Sequence, residues 1–275
     1  MRLVSYNIQY GYGRDGRYDL ERAVMASAAA DVIALQEVER NWWRTAMDDQ
    51  PALIERLLPD RFWSFAPELD VDASLREPSG RVINRRRQHG QMVLSRWPIL
   101  SSRMLILPKL EIGPVFNFVT GVLETVIAPP AGPLRIYNVH LGYAAAAERR
   151  LQVEALIEFM TRALSEGGVW SGKDSDAAHW QADESPPPMP STAVLLGDFN
   201  AEPDAPEMQR LTGPEGTLID AWRHLRGDAP AITYPADQSL DHILVTTDLV
   251  PRLRDCWIDD LAPGSDHQPI WLEIA

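Results

Sequence analysis

Carboxylates, amides and histidines sit where the apolar runs of this sequence begin and end. Asn7 follows Leu3-Val4-Ser5-Tyr6, Glu37 follows Val32-Ile33-Ala34-Leu35-Gln36, His140 follows Ile136-Tyr137-Asn138-Val139, and Asp198 with Asn200 follows Val194-Leu195-Leu196-Gly197. Asp241-His242 and Asp266-His267 instead precede apolar runs. In an α/β sheet the strand ends form the rim where loops hold reactive groups on a rigid base. The start of one strand can lie beside the end of an antiparallel neighbour, so all these groups can converge on one edge. Converging carboxylates raise one another's pKa, whereas a bound divalent cation makes the cluster favourable. The donors are mainly hard oxygens, which suit Mg²⁺ or Mn²⁺ far better than Zn²⁺.

Each residue alone has a plainer explanation. Gly197-Asp198-Phe199-Asn200 has turn composition, Glu37 reads as a solvated loop carboxylate, His140 as a hydrogen-bonded structural histidine, and Asp266-His267 as a cap on the turn into the last strand. The set argues for chemistry, because independent turn residues have no reason to supply metal ligands, a base and oxyanion donors together.

Strands must position these groups. Runs rich in Val, Ile, Leu and Tyr at 2–8, 32–35, 91–94, 134–139, 194–196, 243–246 and 270–274 read as buried strands. Between the first two, residues 19–30 carry Leu20, Ala23, Val24 and Ser27 at helical spacing. A second helix is expected over 148–164, with Leu151, Ala155, Leu156, Phe159, Met160 and Leu164 inward and Glu148, Arg149, Glu154 and Glu158 mostly turned to water. Residues 165–191, with Pro186-Pro187-Pro188, sustain neither periodicity and read as an insertion loop, either a lid or contact surface or a mobile surface excursion. No internal repeat is apparent, so one catalytic domain over residues 1–275 is expected.

The bulk properties narrow the partners. No apolar segment approaches the roughly 18 residues that cross a bilayer, and no secretion signal is visible, so a cytoplasmic location is expected. The single cysteine, Cys256, excludes an internal disulfide and a cysteine-cluster metal site. A formal net charge of −13 gives a long polyanion an unfavourable overall field, although local cationic patches can override it. A small phosphoester is the easier partner. Nothing in the sequence indicates an oligomeric state.

Ser5-Tyr6-Asn7-Ile8, Leu35-Gln36-Glu37-Val38, Asn138-Val139-His140-Leu141, Gly197-Asp198-Phe199-Asn200, Leu240-Asp241-His242-Ile243 and Ser265-Asp266-His267-Gln268-Pro269 together resemble the endonuclease/exonuclease/phosphatase family in order and spread. The resemblance implies a four-layered α/β sandwich, with two facing mixed sheets, helices outside, and an active site at one end. It also implies Mg²⁺ or Mn²⁺ as cofactor, with Glu37 as the main metal ligand, helped by Asn7 and by Asp266 in a second site. His267 resembles the base or phosphate-orienting group, with Asp241 fixing its tautomer. Asp198 is similar to the residue that positions or deprotonates the attacking water, Asn200 to the one that holds water and phosphate, and His140 to a donor to a non-bridging oxygen. Whether Asp198 or His267 takes the proton, and whether one metal or two are bound, stays open.

Two departures bear on substrate. Gln9 stands where repair-nuclease relatives carry an acid, and His140 where many carry tyrosine; both resemble the phosphatase and sphingomyelinase-like branch. The expectation is hydrolysis of a small or lipid-like phosphoester, as a phosphodiesterase or phosphomonoesterase. Against it, Arg76, Arg81, Arg85, Arg86, Arg87 and Arg96 crowd one stretch that could track a nucleic-acid backbone, and Trp42, Trp43 and Trp63 could stack bases. A nuclease is therefore the alternative, and a non-catalytic phosphate-binding module the third reading.

Overall fold

Leu3 and Val4 are both fully buried, yet they belong to different cores. Successive side chains of a strand point to opposite faces, and a strand apolar on both faces must be covered on both. That pattern is the origin of the layering. The computed structural model describes residues 1–172 and 185–275. Its first half runs β1 (Arg2–Asn7), α1 (Leu20–Met25), β2 (Val32–Arg40), α2 (Gln50–Leu57), β3 (Phe62–Asp72), β4 (Leu75–Arg76), β5 (Val82–Ile83), β6 (Arg86–Ser95), β7 (Ile99–Ile106) and β8 (Gly121–Ile127). It continues with β9 (Leu134–His140), α3 (Ala146–Glu166), β10 (Ala193–Asp198), α4 (Pro206–Thr212), β11 (Leu218–Asp220), α5 (Ala221–Arg226), β12 (Asp241–Thr246), β13 (Leu253–Ile258) and β14 (Ile270–Ile274).

Two mixed six-stranded sheets result, ordered β13-β14-β1-β2-β6-β3 and β11-β12-β10-β9-β8-β7. Leu3, Val32, Ala34 and Val93 of the first sheet meet Ile136, Val194, Leu196 and Ile243 of the second in the central core. Outside the first sheet, Val4, Tyr6 and Ile33 pack with Ala23 and Val24 of α1 and Ile54 of α2. Outside the second, Tyr137, Val139 and Leu195 pack with Val153 and Leu156 of α3 and Met208 of α4. This is the expected four-layered α/β sandwich.

Several local expectations needed correction. Glu37 does not follow a strand; β2 runs through it to Arg40. The first helix stops at Met25 instead of reaching residue 30. In α3, Glu148 is fully buried and not turned to water, whereas Leu151 and Leu164 are exposed. Burial of Glu148 is satisfied because it accepts from Leu110 N and from Asn117 Nδ2 at 2.7 Å, tying the helix to the 107–120 segment. The sequence runs do not mark strands β3, β4, β5, β7, β8, β11 and β13. Of the expected 165–191 insertion, residues 173–184 lie outside the described residues.

Two bulges explain how the first sheet feeds the site. Pairing of β2 with β6 shifts between Leu35 and Val38, and pairing of β3 with β6 shifts between Pro67 and Leu69. Both irregularities abut Gly90, which is paired with Val38 on one side and Pro67 on the other. A bulge re-aims the extra residue, here Glu37 and Glu68. A Cβ at Gly90 would lie 2.2 Å from Ala66 O and 2.6 Å from Pro67 Cα, so only glycine permits that approach.

Candidate active site

Three site residues form one row across the second sheet. Asp198, the last residue of β10, is in register with His140, the last residue of β9, and with Asp241, the first residue of β12. The antiparallel β12 thus brings the start of its strand beside the end of β10. Gly197 permits the tight β9–β10 contact, since a Cβ there would meet Val139 O at 1.9 Å.

The first sheet supplies the opposing groups. Asn7 closes β1, and its amide nitrogen donates to Glu37 Oε1 at 3.1 Å and to Asp198 Oδ2 at 3.0 Å. One side chain therefore joins the two sheets through two carboxylates, while its oxygen accepts from Gln9 N at 3.0 Å. Glu37 has φ 60, a backbone state that costs a non-glycine residue energy and recurs at functional positions. Asn200 also has a positive φ, 49, and its backbone N–H donates to Asp198 Oδ1 at 2.8 Å. Asn200 Nδ2 donates to Leu141 O at 2.9 Å. Ser265 Oγ donates to Asn7 O at 2.7 Å and accepts from His267 N at 3.1 Å, so the loop before β14 is pinned to the end of β1.

Below the site, Gln36 Nε2 donates to Asn138 Oδ1 at 2.6 Å, and Asn138 Nδ2 donates to Leu35 O at 2.8 Å and Met92 O at 3.2 Å. These buried amides hold the sheets at one spacing where the apolar core ends.

His267 lies between two carboxylates. Nδ1 donates to Asp241 Oδ2 at 2.8 Å, and Nε2 is 3.6 Å from Asp198 Oδ2. Burial works against the cationic imidazole, but the charges of Asp241 and Asp198 outweigh it and lift His267 to about 10. Asp198 is itself raised by burial, against the pull of His267. The two titrate as a pair. Asp198, Asp241 and His267 place ligand atoms within 4.8 Å of one another. Within the trio His267 Nδ1 is engaged by Asp241, which leaves Nε2 turned toward Asp198.

Glu37 and Asp266 are the other carboxylates with oxygen donors available to a cation. Both line one cleft of about 580 Å³, and Asp266 is raised by burial and by the charge of Glu37. A divalent ion between oxygen donors reverses that repulsion. Gln9 Nε2 donates to Asp266 Oδ2 at 2.8 Å.

His140 also faces this cleft. Its Nδ1 donates to Glu68 Oε2 at 3.3 Å, and Glu68 Oε1 accepts from Gln91 Nε2 at 2.6 Å and Gly121 N at 3.0 Å. Burial depresses His140, but the Glu68 charge and hydrogen bond prevail and raise it to about 9. Burial likewise raises Glu68, but His140 and His89 overcome it and lower the carboxyl to about 2. Glu68 and His89 were missed in the sequence. The available signal was Pro67 and Gly90 interrupting apolar runs, which marks bulges.

The structure brings Asn7, Glu37, His140, Asp198, Asn200, Asp241, Asp266 and His267 to this one region. The arginine-rich stretch does not join them. Arg86 pairs with Asp70, Arg96 with Asp31 and Asp60, and Arg87 donates to Asn41 O; the cleft instead is lined by Arg44 and Arg149. Trp42 lines the cleft, Trp43 is exposed, and Trp63 packs on the helix side of the first sheet.

Residues 4–267 match the model of the Endonuclease/Exonuclease/phosphatase family. No curated protein matches significantly. Among solved structures, an endonuclease/exonuclease/phosphatase from Beutenbergia cavernae DSM 12333 is 20% identical with TM-score 0.65, over 99% of this chain and 70% of that one. The Bacteroides thetaiotaomicron VPI-5482 mannosyl-6-phosphatase is 15% identical with TM-score 0.61, over 100% of this chain and 99% of its own. A 3' phosphatase, NExo, from Neisseria bound to product DNA hairpin is 17% identical with TM-score 0.59, over 100% and 99%. At these identities the likeness is one of fold. No described helix is long and apolar enough to cross a membrane.

Proposed function

Because the chain belongs to the endonuclease/exonuclease/phosphatase family, we propose that it is a divalent-metal-dependent hydrolase of a small or lipid-like phosphoester. One observation carries the reading. Asn7 joins Glu37 to Asp198 across the two sheets, which sets the carboxylate we assign to the cation beside one that lies 3.6 Å from the His267 imidazole. The catalytic unit then spans the whole sandwich, since each sheet supplies half of it.

Glu37 and Asp266 would hold Mg²⁺ or Mn²⁺, which when bound polarises a phosphoryl oxygen and offsets charge developing on it. Asp198 accepts a proton from water or orients it, with His267 Nε2 3.6 Å away to share that proton. Asp241 holds His267 in one orientation through Nδ1. His140, kept cationic by Glu68, donates to a non-bridging oxygen as charge develops, and Asn200, which lines the same cleft, holds the same group. No covalent intermediate on the protein is required. The cleft of about 580 Å³ is of the size that encloses a small ester.

The test is hydrolysis of bis(p-nitrophenyl) phosphate and p-nitrophenyl phosphate with Mg²⁺, with Mn²⁺ and with chelator, beside labelled single- and double-stranded DNA and RNA. Chelator-sensitive turnover of the aryl esters is expected. Preference for nucleic acid with a steep salt slope supports a nuclease instead. Unaltered binding of phosphate compounds without turnover under any metal supports a binding module.

A further inference from the structure

The cleft continues beyond Asp266. Gln9, Tyr10, Arg44 and Asp266 also line a second groove of about 670 Å³, whose other walls include Tyr12 and Arg14. Arg44 stands where the two meet. Its Nε donates to Glu39 Oε2 at 3.2 Å and its Nη2 to Glu39 Oε1. Glu39 has no accessible side-chain surface, whereas 41% of the Arg44 side chain is exposed. The guanidinium lies 3.8 Å from the centre of the Tyr10 ring and 4.8 Å from that of Trp42. A carboxylate is costly to bury unless paired, and this pairing, with the two rings, holds one guanidinium in a single place. Nη1 takes no part in the Glu39 pair, so Arg44 retains donors for an anion entering at the junction.

Resting on the proposed phosphoester hydrolysis, we propose that Arg44 reads a second phosphate of the same substrate, so that the preferred ligand is a bisphosphate with one phosphate at the Glu37–Asp266 cleft and the other at the mouth of the adjoining groove. Arg44 lines the same cleft of about 580 Å³ as Glu37 and Asp266, which places the two anion positions within reach of one small molecule. Arg14, donating to Asp266 O at 3.2 Å, adds positive charge to the wall of that groove. Tyr10 and Tyr12, with ring centres 5.7 Å apart, offer aromatic surface beside it.

The experiment measures binding, so it does not need turnover. Isothermal titration calorimetry with Mn²⁺, on the full chain carrying Asp198→Asn, compares adenosine bisphosphate with adenosine monophosphate and fructose bisphosphate with fructose monophosphate. In at least one pair the bisphosphate should bind about tenfold tighter or more, the worth of one charge-assisted contact. Preference in the adenosine pair alone identifies a nucleotide, in the fructose pair alone a sugar phosphate, and in both a site that reads charge. Adding Arg44→Gln should collapse the ratio to about one. Because that change strands Glu39, Glu39→Gln with Arg44→Gln is measured alongside it and should give the same collapse. A purely structural ion pair would alter melting but keep the ratio. Equal binding of both members of each pair, or a ratio that survives in both variants, overturns the proposal. Aryl ester hydrolysis by the wild type reports separately on the parent reading.

Discussion

Glu68 and His140 lie 72 residues apart on strands of opposite sheets, yet His140 Nδ1 is 3.3 Å from Glu68 Oε2 with both side chains buried. A buried imidazole is ordinarily neutral. Here the carboxylate makes it a cation facing the cleft, and His140 and His89 in turn keep that carboxylate ionised while Gln91 and Gly121 donate to its other oxygen.

Glu68→Gln should therefore remove the cation without removing His140. Burial remains and the compensating charge is gone, so the imidazole falls to its ordinary value or lower. At about pH 8 we expect a loss of about a hundredfold in kcat/KM. The alkaline limb of the pH–rate profile should move from near 9 to below about 7. An unmoved limb with only a uniform loss would count against the pair.

The same pair makes stability depend on pH. The folded pKa of His140 is raised, so its contribution is complete below the unfolded value and disappears as pH rises through about 9. That of Glu68 is lowered to about 2, so its contribution is present above the unfolded carboxyl value and is lost as pH falls toward about 2. Urea unfolding at alkaline pH should show a stability decrease in the wild type that is smaller in Glu68→Gln.

Glu37→Gln and Asp266→Asn should each weaken Mn²⁺ binding. Loss of one charged oxygen ligand is expected to cost at least about tenfold to a hundredfold in metal affinity. The midpoint of Mn²⁺ activation and the Mn²⁺-induced rise in Tm both report it. A variant that keeps both would remove its residue from the ligand set.

Asn7→Ala leaves Glu37 and Asp198 without the amide that links them. The expected loss is about 1–3 kcal/mol in urea unfolding, from stranded buried acceptors. Added Mn²⁺ should recover part of it by neutralising Glu37.

Gly90→Ala places a methyl group against the backbone of β3. We expect destabilisation of at least about 1–3 kcal/mol. Activity should fall more than stability alone explains, because the bulge that sets Glu68 depends on that close approach and Gly90 also pairs with Val38 beside Glu37.

By itself the sequence determined the alternation of apolar strands and helices, the order of motifs ending in Asn7, Glu37, His140, Asp198 and Asp266-His267, and through them the family. Those signals are local: residue type, period and position at the edge of a run. Only the tertiary structure decided that Glu68 and His89 flank His140, that Asn7 bridges Glu37 to Asp198, and that Arg44 rather than the arginines of 76–96 lines the cleft. The reason is register. Which residue of β3 faces β9, and which amide reaches a carboxylate 191 positions away, follow from bulges and from the spacing of two packed sheets, and neither leaves a periodic trace along the chain.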